Sequence, residues 1–504
     1  MTLNPGAELE DFKRRLALVA DTLHYDVVTR EEGTVLSVGD GVARVQGLSE
    51  VGLDELVRFD GGVEGIALDL RLADVGVVIL GPDDAVQVGA AVRGTGQGVA
   101  VPVGDALLGR VVTPLGQPLD SGGPVQAAAR WPAERPAPGI VQRLPVTEPL
   151  LTGLIVIDAL FPIGRGQREL IIGDRGTGKS AIALDTLVNQ RGTGVKCVYV
   201  SIGQKASSVL QLVETLQREG AMEYTVVVVA SPESPPGLRY LAPYAGCTMA
   251  EFFRDRGEDA LLILDDLTKH AVAYRELSLL LRRPPGREAY PGDIFFIHSR
   301  LLERATRLET ELGGGSLTAL PIAETQAGRI SDFIPTNLIS ITDGQIYLDP
   351  QLFDRGVKPA VDVGLSVSRV GGQTQRASMK AVAGPLRLDT ARFREVEVFT
   401  RFGSRVEEQT RRLLVRGARV REVLKQPPFR PVPLGEQVAV LLALEEGLYD
   451  ELPVERVAAA TALFRETMRT RFTEVLRSFE QGKVADEQDH IAFRTAFPSP
   501  EVKT

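Results

Sequence analysis

The residues whose types and spacing most directly suggest chemistry form a glycine-rich loop, Gly173–Ser180. This segment fits the pattern G-x-x-x-x-G-K-[ST], follows the apolar run Leu170–Ile172 and precedes a predicted helix. Glycines let successive main-chain N–H groups turn towards phosphate oxygens, and the positive end of the helix adds to the attraction. Lys179 is suited to contact the β- and γ-phosphates, and the Ser180 hydroxyl is suited to hold Mg²⁺. The sequence therefore predicts a site for ATP or ADP with Mg²⁺.

Two further predicted strand ends carry polar side chains towards this loop. Asp265 ends the apolar strand that begins at Leu261, and an Asp in that position helps to hold the Mg²⁺ shell in related sites. Gln204 follows the strand Lys196–Ile202, where a hydrolytic enzyme would need a general base. Because a neutral amide is a far poorer base than a carboxylate, the pattern indicates a nucleotide that is bound and turned over very slowly. Gln204 as an ordinary polar residue at a strand end remains the alternative.

A third candidate is Arg369, in the glycine-flanked loop Gly364–Gly371. A guanidinium donated across an interface can stabilise the charge on a transferring γ-phosphoryl group. The spacing alone fits equally an ordinary surface arginine in a loop, which is the commoner case.

The elements that must position these residues change in character along the chain. Short alternating runs split by Gly and Asp predict a small closed or sandwich β domain. A proline-rich stretch follows, and then strands and helices alternate, which is typical of a parallel sheet that binds ligands at its carboxyl ends. Long helical stretches such as Phe393–Arg412 and Val454–Phe479 then predict a helical bundle. The predicted boundaries are 1–25 for an N-terminal helix, 26–92, 93–376 and 377–504.

The two ends of the chain are predicted separately. Apolar residues fall on one face of an amphipathic helix over residues 7–23, which either packs on its own domain or docks a partner subunit. The segment Val484–Thr504 is polar with little apolar periodicity, and we expect a loosely ordered tail.

Composition limits the possible functions. The formal net charge of −9 disfavours a bulk nucleic-acid binder, because such domains are usually basic. The 2 cysteines exclude a disulfide framework or a cysteine-based zinc site. No apolar run reaches the length of a membrane span, and the acidic N-terminus resembles neither a signal peptide nor a transit peptide.

Taken together, several segments resemble the α subunits of F-type ATP synthases, and the resemblance extends from about residue 26 to about residue 450. The segments that carry it are Pro162–Arg175, Ile202–Ser207, Tyr240–Cys247, Phe252–Ala260, Ala271–Glu288, Pro335–Gln345 and Ser366–Arg369.

The resemblance implies a multidomain fold with an N-terminal β-barrel, a central RecA-like α/β P-loop domain and a C-terminal α-helical bundle. It implies an alternating ring of three such chains and three catalytic β subunits around a central γ stalk. The N-terminal helix would dock the δ-type subunit of the peripheral stalk. The complex would sit peripherally on the cytoplasmic face of the bacterial inner membrane, in contact with the membrane sector only indirectly and with no nucleic acid.

The resemblance also implies roles for individual residues. Arg369 would reach the β catalytic site as a trans-acting arginine finger, with Ser366 and Ser340 supporting that interface. Ser180 and Asp265 would hold Mg²⁺, Asp265 through water. The nucleotide contacts implied are Gly173, Asp174, Arg175, Gly176, Thr177, Gly178, Lys179, Ser180, Ala181, Gln204, Asp265, Phe353, Lys358 and Gln426.

The chain departs from the usual family pattern around this predicted site. Family members usually have Gln in place of Gly176, Thr in place of Ser180, Arg in place of Lys358 and Gln in place of Pro428. Since an Arg-to-Lys change is not neutral at a planar contact, we expect weaker nucleotide binding than is usual in the family.

Two other functions fit a nucleotide-binding loop. A self-sufficient hexameric motor such as a Rho-type translocase is disfavoured by the negative charge and by the lack of an aromatic and basic RNA surface. A catalytic NTPase subunit is disfavoured by Gln204.

Overall fold

The computed structural model describes Lys13, residues 31–400 and residues 408–498. These residues form an N-terminal β-barrel, a central α/β domain and a C-terminal helical domain, which confirms the predicted fold class. The amphipathic helix predicted over residues 7–23 lies, apart from Lys13, outside the described residues. Among the helices in the described part of the chain, none is both long and apolar enough to cross a membrane.

The first domain is a closed barrel of antiparallel strands in the order β1-β2-β5-β4-β3-β6. Alternating residues point inwards, so that Val35, Val45, Val57 and Val77 are almost completely buried in a common core. The strands are β1 Glu32–Gly39, β2 Val42–Gln46, β3 Glu55–Phe59, β4 Glu64–Leu70, β5 Val75–Ile79 and β6 Ala91–Gly98.

The central domain contains an eight-stranded sheet in the order β18-β17-β12-β16-β15-β13-β14-β8, parallel except for the edge strand β18. The proline-rich segment supplies the edge strand β8 and the separate antiparallel pair β7 and β9. The strands are β7 Ala100–Val103, β8 Val111–Val112, β9 Ala129–Pro132, β10 Pro149–Leu150, β11 Ile163–Gly164, β12 Leu170–Asp174, β13 Lys196–Ile202, β14 Thr225–Ala230, β15 Asp259–Asp265, β16 Ser316–Thr325, β17 Gly344–Leu348 and β18 Val367–Ser368.

Both faces of this sheet are covered, as is typical of parallel sheets. Along β13, Cys197 and Tyr199 enter one core, while Val198 and Val200 enter the other. The helices are α1 Ile155–Leu160, α2 Lys179–Val188, α3 Ala206–Arg218, α4 Pro236–Arg254, α5 Leu267–Leu280, α6 Ile294–Leu302, α7 Phe333–Ile341 and α8 Pro350–Asp354.

The C-terminal domain is helical, as predicted; of the two helical stretches named from the sequence, Phe393–Arg412 includes residues 401–407, which lie outside the described residues, and the other is divided. The stretch predicted as one helix over Val454–Phe479 is two, because Phe472 takes a non-helical conformation with φ −128° and ψ 37°. The helices are α9 Ala377–Thr400, α10 Glu408–Val423, α11 Leu434–Glu445, α12 Val454–Arg471, α13 Thr473–Glu480 and α14 Glu487–Ala496.

The prediction of a loosely ordered tail from Val484 is wrong over residues 487–496. Asp486 caps α14 by accepting hydrogen bonds from the main-chain N–H groups of Gln488 and Asp489. Phe493 is fully buried, with its ring near those of Phe464 and Phe479. Because only a few positions of this helix are buried, its apolar periodicity is weak, and the helix could not be predicted from the sequence pattern.

Candidate nucleotide-binding site

The glycine-rich loop joins the end of β12 to the start of α2 in the centre of the sheet. Gly176 and Gly178 have φ angles of +82° and +99°, which side-chain-bearing residues adopt only with strain. Gly173 packs directly against β17, and a β-carbon there would stand 2.7 Å from the Leu348 carbonyl oxygen. The loop can therefore turn the start of α2, with its free main-chain N–H groups, towards a phosphate.

Lys179, the first residue of α2, is folded back over the loop. Its ammonium donates to the carbonyl oxygens of Gly173 at 2.9 Å and Asp174 at 2.7 Å. An ammonium has three donor hydrogens, so one remains for a phosphate oxygen. Burial lowers the pKa of Lys179, while nearby carboxylates, chiefly Glu324 and then Asp266, counteract that shift.

Asp265 accepts hydrogen bonds from three side chains around the loop. Ser180 Oγ lies 2.8 Å from Asp265 Oδ2, the Tyr199 hydroxyl donates to the same oxygen, and Gln204 Nε2 lies 2.9 Å from Asp265 Oδ1. The structure thus brings together Ser180, Gln204 and Asp265 as predicted from the sequence. Tyr199 was missed, although its position in the alternation of β13 places it on the same face of the sheet.

This donor set fits a magnesium ion. Mg²⁺ prefers hard oxygen ligands and keeps several of its waters, and the Ser180 hydroxyl beside the Asp265 carboxylate supplies such oxygens. Ser180 would bind the ion directly and Asp265 would hold one of its waters. Held there, the ion would supply positive charge that offsets the charge of the phosphate oxygens.

The other predicted loop residues fall into two groups. The Asp174 carboxylate accepts from Thr325 Oγ1 at 2.6 Å and from the Gly328 N–H at 2.9 Å. Thr177 is buried and donates to the Asp174 carbonyl at 2.7 Å. These two residues hold the loop in shape. Arg175 and Gly176 are exposed, and Ala181 is half-buried in the first turn of α2.

Phe353 and Lys358 form a wall on one side of the loop. The Lys358 ammonium stands 4.5 Å from the centre of the Phe353 ring, and a β-carbon on Gly178 would be 3.9 Å from that ring. Gln426 lies behind them, since its main-chain N–H donates to the Lys358 carbonyl at 2.8 Å. An aromatic ring with a cation above it is suited to stack a base.

The side chain of Gln426 does not face this wall, in contrast to the role expected for it. It is 6% exposed, and its amide donates to the carbonyls of Gly153 at 2.7 Å and Arg430 at 2.8 Å. Its oxygen accepts from the Ile155 N–H at 3.2 Å. Both amide hydrogens are therefore used: the bond to Gly153 attaches the C-terminal domain to the central domain, and the bond to Arg430 stays within the C-terminal domain.

A cavity of about 430 Å³ extends from Ser180, Gln204 and Asp265 between α2 and α3 to the ring of Phe429. The Phe429 N–H donates to Asp185 Oδ1 at 2.6 Å, which fixes the position of the ring over α2. Sequence reasoning missed Asp185 and Phe429, because only the folded chain brings the loop between α10 and α11 of the C-terminal domain onto α2.

Arg369 lies at the opposite end of the sheet from the glycine-rich loop. It follows β18, in which Ser368 pairs with Gly344, at the end where β17 and β12 begin. Its main-chain N–H donates to the Asp343 carbonyl at 2.8 Å, and its exposed guanidinium lies 3.4 Å from the Ile339 carbonyl oxygen. Ser340 is exposed on α7 beside it.

Ser366, expected at the same interface, is buried instead. It is 5% exposed, and its hydroxyl accepts the Tyr347 N–H at 2.9 Å. It therefore fixes the loop before β18 against β17 and leaves Arg369 and Ser340 as the exposed members of the predicted set.

Comparison with known proteins identifies the family. Models of the ATP synthase alpha/beta family match the β-barrel domain at residues 28–96, the nucleotide-binding domain at residues 153–368 and the C-terminal domain at residues 375–499. ATP synthase subunit alpha from Lawsonia intracellularis is 53% identical over 462 residues, covering 92% of this chain and 91% of that protein. The chain belongs to the ATP synthase α-subunit family.

Two other relatives show comparable similarity. ATP synthase subunit alpha 2 from Albidiferax ferrireducens is 55% identical over 483 residues, covering 94% of this chain and 90% of that protein. ATP synthase subunit alpha from Aquifex aeolicus is 53% identical over 458 residues, covering 91% of each chain. The resemblance inferred from the sequence segments is confirmed, and the chain is a nucleotide-binding subunit of an ATPase or ATP synthase complex.

One family departure has a structural explanation. At Gly176 a β-carbon would meet no atom of the described residues within 4 Å, so space does not demand glycine there. The positive φ does favour it, since glycine adopts this conformation without the strain of a side-chain-bearing residue. Glycine also gives the loop greater freedom before a ligand binds.

Proposed function

We propose that this chain is the non-catalytic, regulatory and structural subunit in the ring of an ion-translocating F-type ATP synthase. It binds ATP or ADP with Mg²⁺ at Gly173–Ser180 and supplies Arg369 to the catalytic site of an adjacent β subunit.

The location of Arg369 is the observation that carries this proposal. The Arg369 N–H donates to the Asp343 carbonyl, and the Asp343 N–H donates to the Arg168 carbonyl, so the backbone of Arg369 lies near Arg168. Gly173, at the phosphate loop, is five residues further along the chain from Arg168. At the usual rise of a strand this is about 16 Å, too far for Arg369 to reach a nucleotide in its own chain's site. An exposed guanidinium beside Ser340 is instead available to a neighbouring chain.

The contacts of Gln204 support a site that holds nucleotide without turning it over. Its amide nitrogen donates to Asp265 at 2.9 Å, so this end of the side chain acts as a hydrogen-bond donor. A general base must accept a proton from the attacking water, and an amide does so poorly.

The assembly that follows is a ring alternating with β subunits around a central γ stalk. The predicted helix over residues 7–23 would dock a δ-type peripheral-stalk subunit. The ring would lie peripherally on the cytoplasmic face of the bacterial inner membrane.

Replacing Arg369 tests the proposal. In the purified complex, Arg369→Ala should lower ATP turnover by about 10³- to 10⁵-fold, as losses of trans-acting arginine fingers do. Nucleotide binding to the β subunit should persist, and Arg369→Lys should not restore turnover because a point charge lacks the planar fork. Turnover that is unchanged in Arg369→Ala would refute the proposed role.

Reconstitution provides an independent test of the division of labour. The isolated chain should show almost no ATPase activity, and mixing it with β subunits should create activity. Robust hydrolysis by the isolated chain would contradict a non-catalytic site.

A further inference from the structure

A buried carboxyl group lies beneath the strand that carries Arg369. Glu169, directly before β12, has no exposed surface, and its Oε2 accepts a hydrogen bond from Gln167 Nε2 at 2.7 Å. Among the described residues, Glu169 Oε1 has no hydrogen-bond partner. A buried acceptor without a partner costs free energy, so its retention here calls for a role.

Gln167 links this carboxyl group to β18. Its Nε2 also lies 3.3 Å from Ser368 Oγ, and its Oε1 accepts the Gly164 N–H at 2.8 Å. All the hydrogen-bonding groups of this amide are therefore used. Ser368 Oγ in turn donates to the Pro162 carbonyl at 2.9 Å, and the next residue in the chain is Arg369.

A second approach to β18 runs past Gly344. A β-carbon on Gly344 would lie 2.2 Å from the Val367 carbonyl oxygen, 2.6 Å from Glu169 Oε2 and 2.8 Å from Glu169 Oε1. Three oxygens thus border one space that only a glycine leaves open. Glycine at this position therefore lets the Glu169 carboxyl group and the β18 backbone both pack closely against β17.

The surroundings of Glu169 favour the neutral acid. Burial raises the pKa of Glu169 well above its usual range, and the charge of Asp343 adds to the rise. Gln167 and Arg369 act in the opposite direction. Asp343 is itself paired with Arg168, whose Nη2 lies 2.8 Å from Asp343 Oδ1, and its carbonyl holds the Arg369 N–H.

We infer that Glu169 is a positioning residue that orients Gln167 against Ser368 Oγ in β18 and so fixes the base of Arg369. This inference rests on the proposed function, because it matters for catalysis only if Arg369 acts in a neighbouring site.

The test compares Glu169→Ala with Glu169→Gln in the purified, assembled complex. Alanine removes the acceptor that orients Gln167, so kcat should fall about 10- to 100-fold, the cost of a small misplacement of a catalytic group, with little change in KM. Glutamine keeps a side-chain oxygen that can accept from Gln167, so it should recover most of that loss and stay within about threefold of the parent complex. If Glu169→Ala does not assemble, Ser368→Ala, which removes the acceptor of the Gln167 contact, should give a smaller fall in kcat.

A double-mutant cycle separates positioning from general stability. In an Arg369→Ala background, adding Glu169→Ala should cause no further loss of kcat, because there is no guanidinium left to position. A further loss there, or a loss in Glu169→Gln as large as in Glu169→Ala, would overturn the inference. If Arg369→Ala itself left turnover intact, the proposed function would fail first, so the two failures are distinguishable.

Discussion

Ser180 Oγ donates a hydrogen bond to Asp265 Oδ2 over 2.8 Å, which joins the first turn of α2 to the end of β15. This pair is the proposed holder of Mg²⁺. Ser180→Ala removes the hydroxyl ligand, so the tightening of nucleotide binding by Mg²⁺ should shrink by about tenfold, the value of one contact to a charged group. Titration of the chain with a fluorescent ATP analogue, with and without Mg²⁺, measures this effect. Ser180→Thr keeps the hydroxyl and serves as the control; an unaltered Mg²⁺ effect in the alanine variant would remove Ser180 from the ion site.

Lys179 should matter for binding in this chain and much less for turnover of the complex. Lys179→Ala removes the ammonium hydrogen that is available to a phosphate oxygen, so the nucleotide affinity of the isolated chain should fall by about 10- to 100-fold. Because chemistry is assigned to the neighbouring chain, the complex should keep its ATPase rate within about threefold, in contrast to the loss expected for a catalytic lysine. A collapse of turnover as severe as that of Arg369→Ala would mean that this chain's own site is catalytic.

The wall formed by Phe353 and Lys358 predicts weak retention of nucleotide. A lysine ammonium is a compact charge that stacks on rings and bases less well than a guanidinium does. The purified complex should therefore lose nucleotide from this chain's site during gel filtration. Lys358→Arg combined with Pro428→Gln should increase the amount retained. Full occupancy of the unaltered site would show that the departures from the family pattern are neutral.

Asp185 should make the stability of the chain depend on pH. Burial raises the pKa of Asp185 to about 6 from its ordinary 3.8, although the Phe429 N–H counteracts part of the shift. Above pH 6 the buried carboxylate is charged and destabilises the fold. As the pH falls through 6 towards 4, the folded chain takes up the proton first and this cost disappears. Asp185→Asn keeps an acceptor for Phe429 without the charge, so it should raise the melting temperature at pH 8. The corresponding gain in the free energy of unfolding is at most roughly 3 kcal/mol.

Melting curves of both forms between pH 8 and pH 5 provide the check. The advantage of the asparagine variant should shrink as the pH is lowered. An advantage that is constant over this range would mean that Asp185 is not the titrating group.

Features that depend on neighbouring residues in the chain could be predicted from the sequence. The loop Gly173–Ser180 and the strand that ends at Asp265 are both indicated by a local pattern, in which an apolar run is followed by polar residues. Both occur in the structure as expected. The three domains could be predicted because the periodicity of apolar residues changes along the chain. A period of two residues indicates the β-barrel, alternating strands and helices indicate the α/β domain, and helical periodicity indicates the C-terminal bundle.

Features that depend on distant contacts could not be predicted in the same way. The side chain of Gln426 is buried because Gly153, far away in the chain, supplies an acceptor for it. Ser366 is buried because β17 passes over it, and α14 is ordered because Phe493 reaches Phe464. No spacing in the sequence encodes which of several polar residues will find an internal partner.

The strand β12 has a consequence for communication within the ring. One end of these five residues, Leu170–Asp174, turns into the loop that grips phosphate, and Glu169 at the other end supports the base of Arg369. β12 lies between β17 and β16 and pairs in parallel with both. A ligand that displaces Gly173 would therefore also displace the residues that position Arg369. Under the proposed function, nucleotide occupancy of this chain's site would then alter the rate of ATP turnover in the adjacent β subunit.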